Sequence, residues 1–221
     1  MSWLWWGAAL FAGVVDWLAV ARRVRWLEYI FKPLTMILVI IGAGVQIVQD
    51  GGSWYQGFFL AAFSLSLAGD VFLMLPDERW FIPGLGSFLV AQLCFIAGLN
   101  PCWPAPASAW LLLLIVPLTS GVLRRVWVAL AESGQQALRG PVLVYGAVLS
   151  LTLFSGWASW WRADWTLQAC LAASAGATLF YVSDLMLAWD RFVRRSHVLH
   201  VAVIVTYHLA QILLAAVIAL T

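Results

Sequence analysis

The chain has 221 residues, of which 64% are hydrophobic, 14% aromatic and only 10% charged, with a formal net charge of +2. A soluble domain carries about 45–50% apolar and roughly 25% charged residues, so a soluble globular protein, a disordered chain and a nucleic-acid binder are all excluded. A transmembrane barrel would show short segments of alternating polarity, whereas the apolar runs here are long and continuous, which leaves an all-α, polytopic membrane bundle.

A membrane span needs about 20 mostly apolar residues. That rule predicts eight transmembrane helices, over 3–21, 33–49, 54–75, 81–99, 107–123, 140–160, 166–188 and 198–220. The first run starts at Ser2 with no basic leader and no small-residue cleavage site, so it reads as a span and not as a signal peptide. The fourth is interrupted in its first turn by Pro83, Gly84 and Gly86, and the fifth is short and contains Pro117. The connections are too short for a separate soluble unit, so residues 1–221 are expected to form one bundle. Cys94, Cys102 and Cys170 have no CxxC spacing, and neither a metal nor a cofactor is expected.

Lys and Arg in short loops mark the cytoplasmic side of a membrane protein. Of the twelve basic residues, all except Arg162 fall in or beside the loops after spans one, three, five and seven. Both termini are therefore expected on the non-cytoplasmic side, and a bacterial inner membrane is the expected location. Most of the fifteen tryptophans stand near predicted span ends: Trp3, Trp5, Trp6, Trp26, Trp54, Trp80, Trp103, Trp160, Trp161, Trp165 and Trp189. They read as interfacial anchors.

Ionisable residues inside hydrocarbon are costly and usually face a bundle interior, so each marks a candidate site. Asp70 lies six residues before Pro76 and Asp184 five before Trp189, which places both carboxylates about 8–9 Å inside the cytoplasmic boundary. Lys32 opens the second predicted span on the same side. Ser66 precedes Asp70 by four residues and Tyr181 precedes Asp184 by three, spacings that share a helix face. Ser87 and Gln92 give span four its polar positions, and Tyr207, His208 and Gln211 lie within span eight. A polar pocket open toward the inner leaflet is expected. Asp16 is close enough in sequence to pair with Arg22, and His197 and His200 are expected in solvent at the membrane edge beside three arginines. Neither HExxH nor G-x-S-x-G occurs, so zincin and serine-triad chemistry find no support.

The polar segments resemble those of the YhhN-type lysoplasmalogenase family of membrane hydrolases. The matching pieces are Phe31-Lys32-Pro33-Leu34-Thr35, Ser66-Leu-Ala-Gly69-Asp70 and Gly84-Leu-Gly-Ser-Phe88-Leu89, then Gly176-Ala-Thr-Leu-Phe180-Tyr181-Val-Ser183-Asp184 and Tyr207-His-Leu-Ala210-Gln211. They occur in the family's order over nearly the whole chain. The resemblance implies an eight-helix bundle that cleaves the vinyl ether bond of a lysophospholipid substrate, giving a fatty aldehyde and a glycerophospho-amine. Gln92 stands where the family usually carries a His-containing segment, and His208 where it more often has an uncharged aromatic.

Vinyl ether hydrolysis requires a proton on carbon and a water that captures an oxocarbenium-like cation, a course that suits two carboxyl groups. Asp70 and Asp184 are the expected catalytic pair, with Asp184 as acid and Asp70 as base. Lys32 is expected to meet the substrate phosphate or to keep one Asp charged. Ser66, Gln92, Tyr181, Ser183, Tyr207, His208 and Gln211 are expected to orient the pair, the water or the substrate. A single-chain lipid would enter sideways, its tail between helices and its head at the arginine-rich rim. Three other readings stay open: a proton-coupled transporter or flippase, a metal-dependent lysolipid hydrolase using His197, His200 and His208, and a non-catalytic membrane subunit.

Overall fold

A computed structural model describes residues 2–221 and is helical throughout. Its helices are α1 (Ser2–Ala21), α2 (Arg25–Gln49), α3 (Trp54–Met74), α4 (Phe81–Leu99), α5 (Leu112–Glu132), α6 (Arg139–Ala158), α7 (Leu167–Phe192) and α8 (His197–Leu220). All eight are long and apolar enough to cross a membrane, which makes this an integral membrane protein. Short 3-10 turns precede α4, α5 and α6, and a fourth follows α6.

Two boundaries differ from expectation by eight residues or more, and both differences have the same cause. The expected spans stop at charged residues, and the helices run past them. Helix α2 begins at Arg25, eight residues before the expected start, and runs through Pro33. A proline inside a helix forfeits one backbone hydrogen bond, yet the helix continues on both sides of it. Helix α5 runs to Glu132, nine residues past the expected end, with Arg124 and Arg125 exposed while Val126 and Leu130 are buried. Its first expected residues, from 107 to 111, fall in a 3-10 turn over Pro106–Leu111 instead. In contrast, α4 starts at Phe81 as expected, because Pro83 falls in the first turn, where its missing N–H has no intrahelical partner to lose.

Helices α7 and α8 pack most intimately, as do the pairs α3–α4 and α1–α2. Helix α8 also lies against α1 and α2, α6 bridges α4 and α7, and α5 packs on the outside of α6 and α7. Bilayer lipid supplies little hydrophobic drive between helices, so close backbone approach through small residues matters more. Gly156 on α6 illustrates this: a Cβ there would meet the Ala173 carbonyl oxygen at 2.8 Å. Away from the arginine-bearing end, Phe59, Phe63, Phe95 and Phe180 are fully buried. Their rings meet edge-on, with centroids 5.4 Å apart for Phe63–Phe95 and 5.8 Å for Phe95–Phe180.

Trp26 and Trp54 are exposed at helix starts and Trp103 in the α4–α5 connection, as an interfacial belt requires. Trp165 departs from it, being buried beneath the Arg162 guanidinium at 4.4 Å. The side chain of Trp3 lies outside the described residues.

Candidate active site

Because α2 starts at Arg25, Lys32 stands seven residues into the helix and not at its edge, about 10 Å from its beginning. It is buried, with Nζ 3.1 Å from Asp70 Oδ1. The other oxygen of Asp70, Oδ2, accepts a 2.6 Å hydrogen bond from the Tyr207 hydroxyl on α8. Asp70 follows Gly69, where a Cβ would lie 2.6 Å from the Phe88 ring, so glycine is what lets α4 press this ring onto α3. Phe88 in turn meets Tyr207 edge-on, with centroids 5.9 Å apart. Three helices besides its own thus hold Asp70 in place.

Asp184 on α7 is held by neutral groups. The Tyr145 hydroxyl on α6 donates to its Oδ2, and Gln92 Nε2 on α4 donates to the same oxygen at 3.3 Å. Tyr145 was not singled out from sequence, because one tyrosine in an apolar span looks like ordinary core. Depth would have found it: it lies six residues after Arg139, about 9 Å in, level with the two aspartates.

Both carboxylates line one cavity of about 720 Å³, together with Lys32, Tyr207 and Phe88. It opens at the arginine-bearing end, where Arg23 and Arg25 stand beside His197 and His200. Arg23 has a left-handed backbone, φ 60°. Its N–H bonds the Val20 carbonyl at 3.0 Å, and the Val24 N–H bonds that of Ala19 at 2.8 Å, a Schellman close at a position where glycine is the usual residue. His197 Nε2 lies 3.1 Å from the Ala21 carbonyl oxygen and His200 Nε2 3.8 Å from Glu28, so both histidines make protein contacts at the mouth. Among the described residues, no group of three His, Cys, Asp or Glu side chains is placed to hold a metal ion.

Several expected participants stand elsewhere. The Tyr181 hydroxyl reaches away from Asp184 to hydroxyls on α5 and α6, 2.7 Å from Thr119, which is itself 2.8 Å from Ser150. Ser183 donates to the Val203 carbonyl at 2.9 Å and ties α7 to α8. His208 is fully buried and its Nδ1 accepts from the Trp17 indole at 3.1 Å, on the α1 side of α8. Ser66 and Gln211 are buried, and neither finds a hydrogen-bond partner for its side chain. Asp16 does not pair with Arg22: it is fully buried, with neither carboxylate oxygen hydrogen-bonded, 3.9 Å from His208 Nδ1. A spacing along one helix fixes the face a residue shares, not the neighbour its tip reaches. Of the ten expected site residues, Lys32, Asp70, Asp184 and Tyr207 line the cavity, and Gln92 touches it through Asp184.

Comparison with known proteins adds to this geometry. The model of the YhhN family matches residues 27–218. A human protein named lysoplasmalogenase TMEM86B is 29% identical over 198 residues, which cover 87% of this chain and 75% of that protein. A Mycobacterium tuberculosis protein named lysoplasmalogenase is 29% identical over 195 residues, covering 86% and 69%. An Escherichia coli O157:H7 protein named uncharacterized membrane protein YhhN is 27% identical over 190 residues, covering 81% and 82%. No solved structure matches the chain.

Proposed function

Because the chain belongs to the YhhN family, we propose that it is a lysoplasmalogenase, cleaving the vinyl ether of a lysoplasmalogen by acid–base catalysis at Asp184, with Asp70 as the anion that stabilises the cation formed. The observation that carries this reading is that two buried carboxylates face one cavity with different partners: an ammonium for Asp70, neutral donors for Asp184. A carboxylate beside an ammonium keeps its charge, whereas a buried carboxyl among neutral groups is suited to carry a proton. Asp70 is therefore the anion and Asp184 the acid. Both hydrogen bonds to Asp184 fall on Oδ2, which leaves Oδ1 for the proton.

Asp184 gives its proton to the alkene carbon farther from the ether oxygen, and the carbon bonded to oxygen becomes an oxocarbenium-like cation. Asp70 stabilises that cation across the cavity. Water adds to the cationic carbon and returns a proton to Asp184. The hemiacetal so formed collapses to a fatty aldehyde and the glycerophospho-amine, and no net proton is consumed. Lys32 serves Asp70 and not the substrate phosphate, because its ammonium is already engaged inside the bundle. Arg23 and Arg25 at the mouth take the phosphate instead. With the basic loops on the cytoplasmic side, the cavity opens to the inner leaflet of a bacterial inner membrane, and both termini lie on the other side.

The test is to incubate purified protein in detergent with lyso-plasmenyl-ethanolamine and lyso-plasmenyl-choline and to measure fatty aldehyde. Release of aldehyde is expected from both lipids, and no fatty acid from the ester-linked lysolipids, which lack the alkene. Absence of aldehyde would contradict the assignment.

A further inference from the structure

A second, apolar hollow opens beside the polar cavity, between α4 on one side and α6 and α7 on the other. Its walls include Leu85, Val142, Tyr145 and Ala188. Leu73, Phe88, Asp184 and Leu187 line both hollows, so the two are continuous around Asp184. Helices α4 and α7 are tied at two levels. At the inner one Gln92 bonds Asp184, and at the outer one the Phe81 and Phe192 rings meet edge-on at 5.8 Å with the Arg191 guanidinium 4.1 Å over Phe81. Between these ties α7 presents the small side chain of Ala188, which leaves a groove. From Asp184 to Phe192 is eight residues, or about 12 Å along the helix.

We propose that this groove seats the single hydrocarbon chain of a lysolipid, which passes from the polar cavity by Asp184 and Ala188 into the bilayer; the proposal rests on the hydrolase reading above. The order of groups carries the argument. In a lysoplasmalogen the ether lies between a phosphate-bearing head and one chain. In the protein Asp184 lies between a mouth bearing Arg23 and Arg25 and a groove walled mainly by leucine, phenylalanine, valine and alanine, with Arg191 at its outer end. Arg191 lies over the Phe81 ring and 4.0 Å from Glu78, and the wall between it and Asp184 cannot satisfy a phosphate or an amine, so the polar arm suits the head and the apolar arm the chain. One apolar arm adjoins the acid, which fits a lipid with one chain. Phe88, pinned over Gly69, stands where the two arms divide.

The experiment uses a non-hydrolysable alkyl-ether lysolipid with a photoactivatable diazirine midway along its chain, irradiated with the purified full chain and mapped by mass spectrometry. Labels are expected on residues 81–88, on Val142 or Tyr145, and on residues 187–192. Ala188→Trp should cut groove labelling by about tenfold, the scale of overfilling an apolar pocket. The wild-type map is decisive even where that variant folds poorly. Labels confined to the lipid-facing sides of α1, α2 or α5 would overturn the proposal. Parallel assay of aldehyde from the vinyl ether lipid separates the two readings. Groove labels without aldehyde sink the hydrolase and leave the chain site standing, whereas aldehyde with labels elsewhere does the reverse.

Discussion

The two halves of the bundle solve the same problem in opposite ways. Toward the arginine-bearing loops, α2, α3, α7 and α8 bring a lysine, two aspartates and a tyrosine around a polar cavity. Toward the other end, α3, α4 and α7 bring together four fully buried phenylalanines. Arg162, at the start of the α6–α7 loop, is tied down there: it pairs with Asp164, stacks on Trp165 and reaches the Leu99 carbonyl at 3.4 Å. That pairing holds the Asp164 carboxyl below its ordinary range. Hollows at this end, around Trp103, share no described lining residue with the polar cavity. A chamber with its mouth on one face and a packed aromatic floor suits a reaction whose reactants come and go on that face.

If the halves divide the work in this way, variants in the polar half should lose rate, with stability lost as well only where the Lys32–Asp70 pair is broken, and variants in the aromatic half should lose stability with little loss of rate. The largest effect is expected for Asp70→Asn and Asp184→Asn. Each should lower the rate of aldehyde release by about 10²–10⁴-fold, the usual worth of a positioned acid or base; Asp184→Asn should remain monodisperse, whereas Asp70→Asn also leaves the Lys32 ammonium unpaired and should lose melting temperature. Lys32→Met comes next. Removing one member of a buried ion pair leaves the other charge uncompensated, at a cost of about 3–5 kcal/mol, so this variant should lose both melting temperature and kcat. A change in KM alone would show that Lys32 serves the substrate and not Asp70. Phe95→Ala should cost about 3 kcal/mol or more through the cavity it leaves, with KM little changed, as read by thermal unfolding in detergent beside initial rates.

The smallest effect sharpens the comparison at the mouth. Arg23→Gly places at a left-handed position the residue suited to it, which should raise stability by about 1 kcal/mol, while removal of a phosphate-binding cation raises KM. Thermal unfolding and KM together check this. A more stable protein with unchanged KM would take Arg23 out of substrate binding.

The bundle itself was legible because hydrocarbon imposes long apolar runs, and counting residues to the nearest boundary set Asp70 and Asp184 at a common level, whereas Lys32, expected at the edge of α2, stands seven residues inside it. Helix ends were legible only where charge and helix stop together. At Arg25 and Glu28 in α2, and at Arg124 and Arg125 in α5, they do not. Among the polar residues, depth proved a better guide than spacing. Tyr145 shares the depth of the acids and bonds one of them, although it lies on a different helix from either. Tyr181 shares a helix face with Asp184 and bonds Thr119 instead. The contact of Asp16 with α8 and not with Arg22 depends on how α1 is rotated in the bundle, which no single span encodes.

The central claim is that Asp184 delivers a proton to carbon, and running the wild-type reaction in D2O tests it most directly. Mass spectrometry of aldehyde trapped as it forms should find one deuterium on the carbon next to the carbonyl, and Asp184→Asn should yield almost no such product. Aldehyde that carries no deuterium, or a labelled product formed by Asp184→Asn at the wild-type rate, would contradict the account.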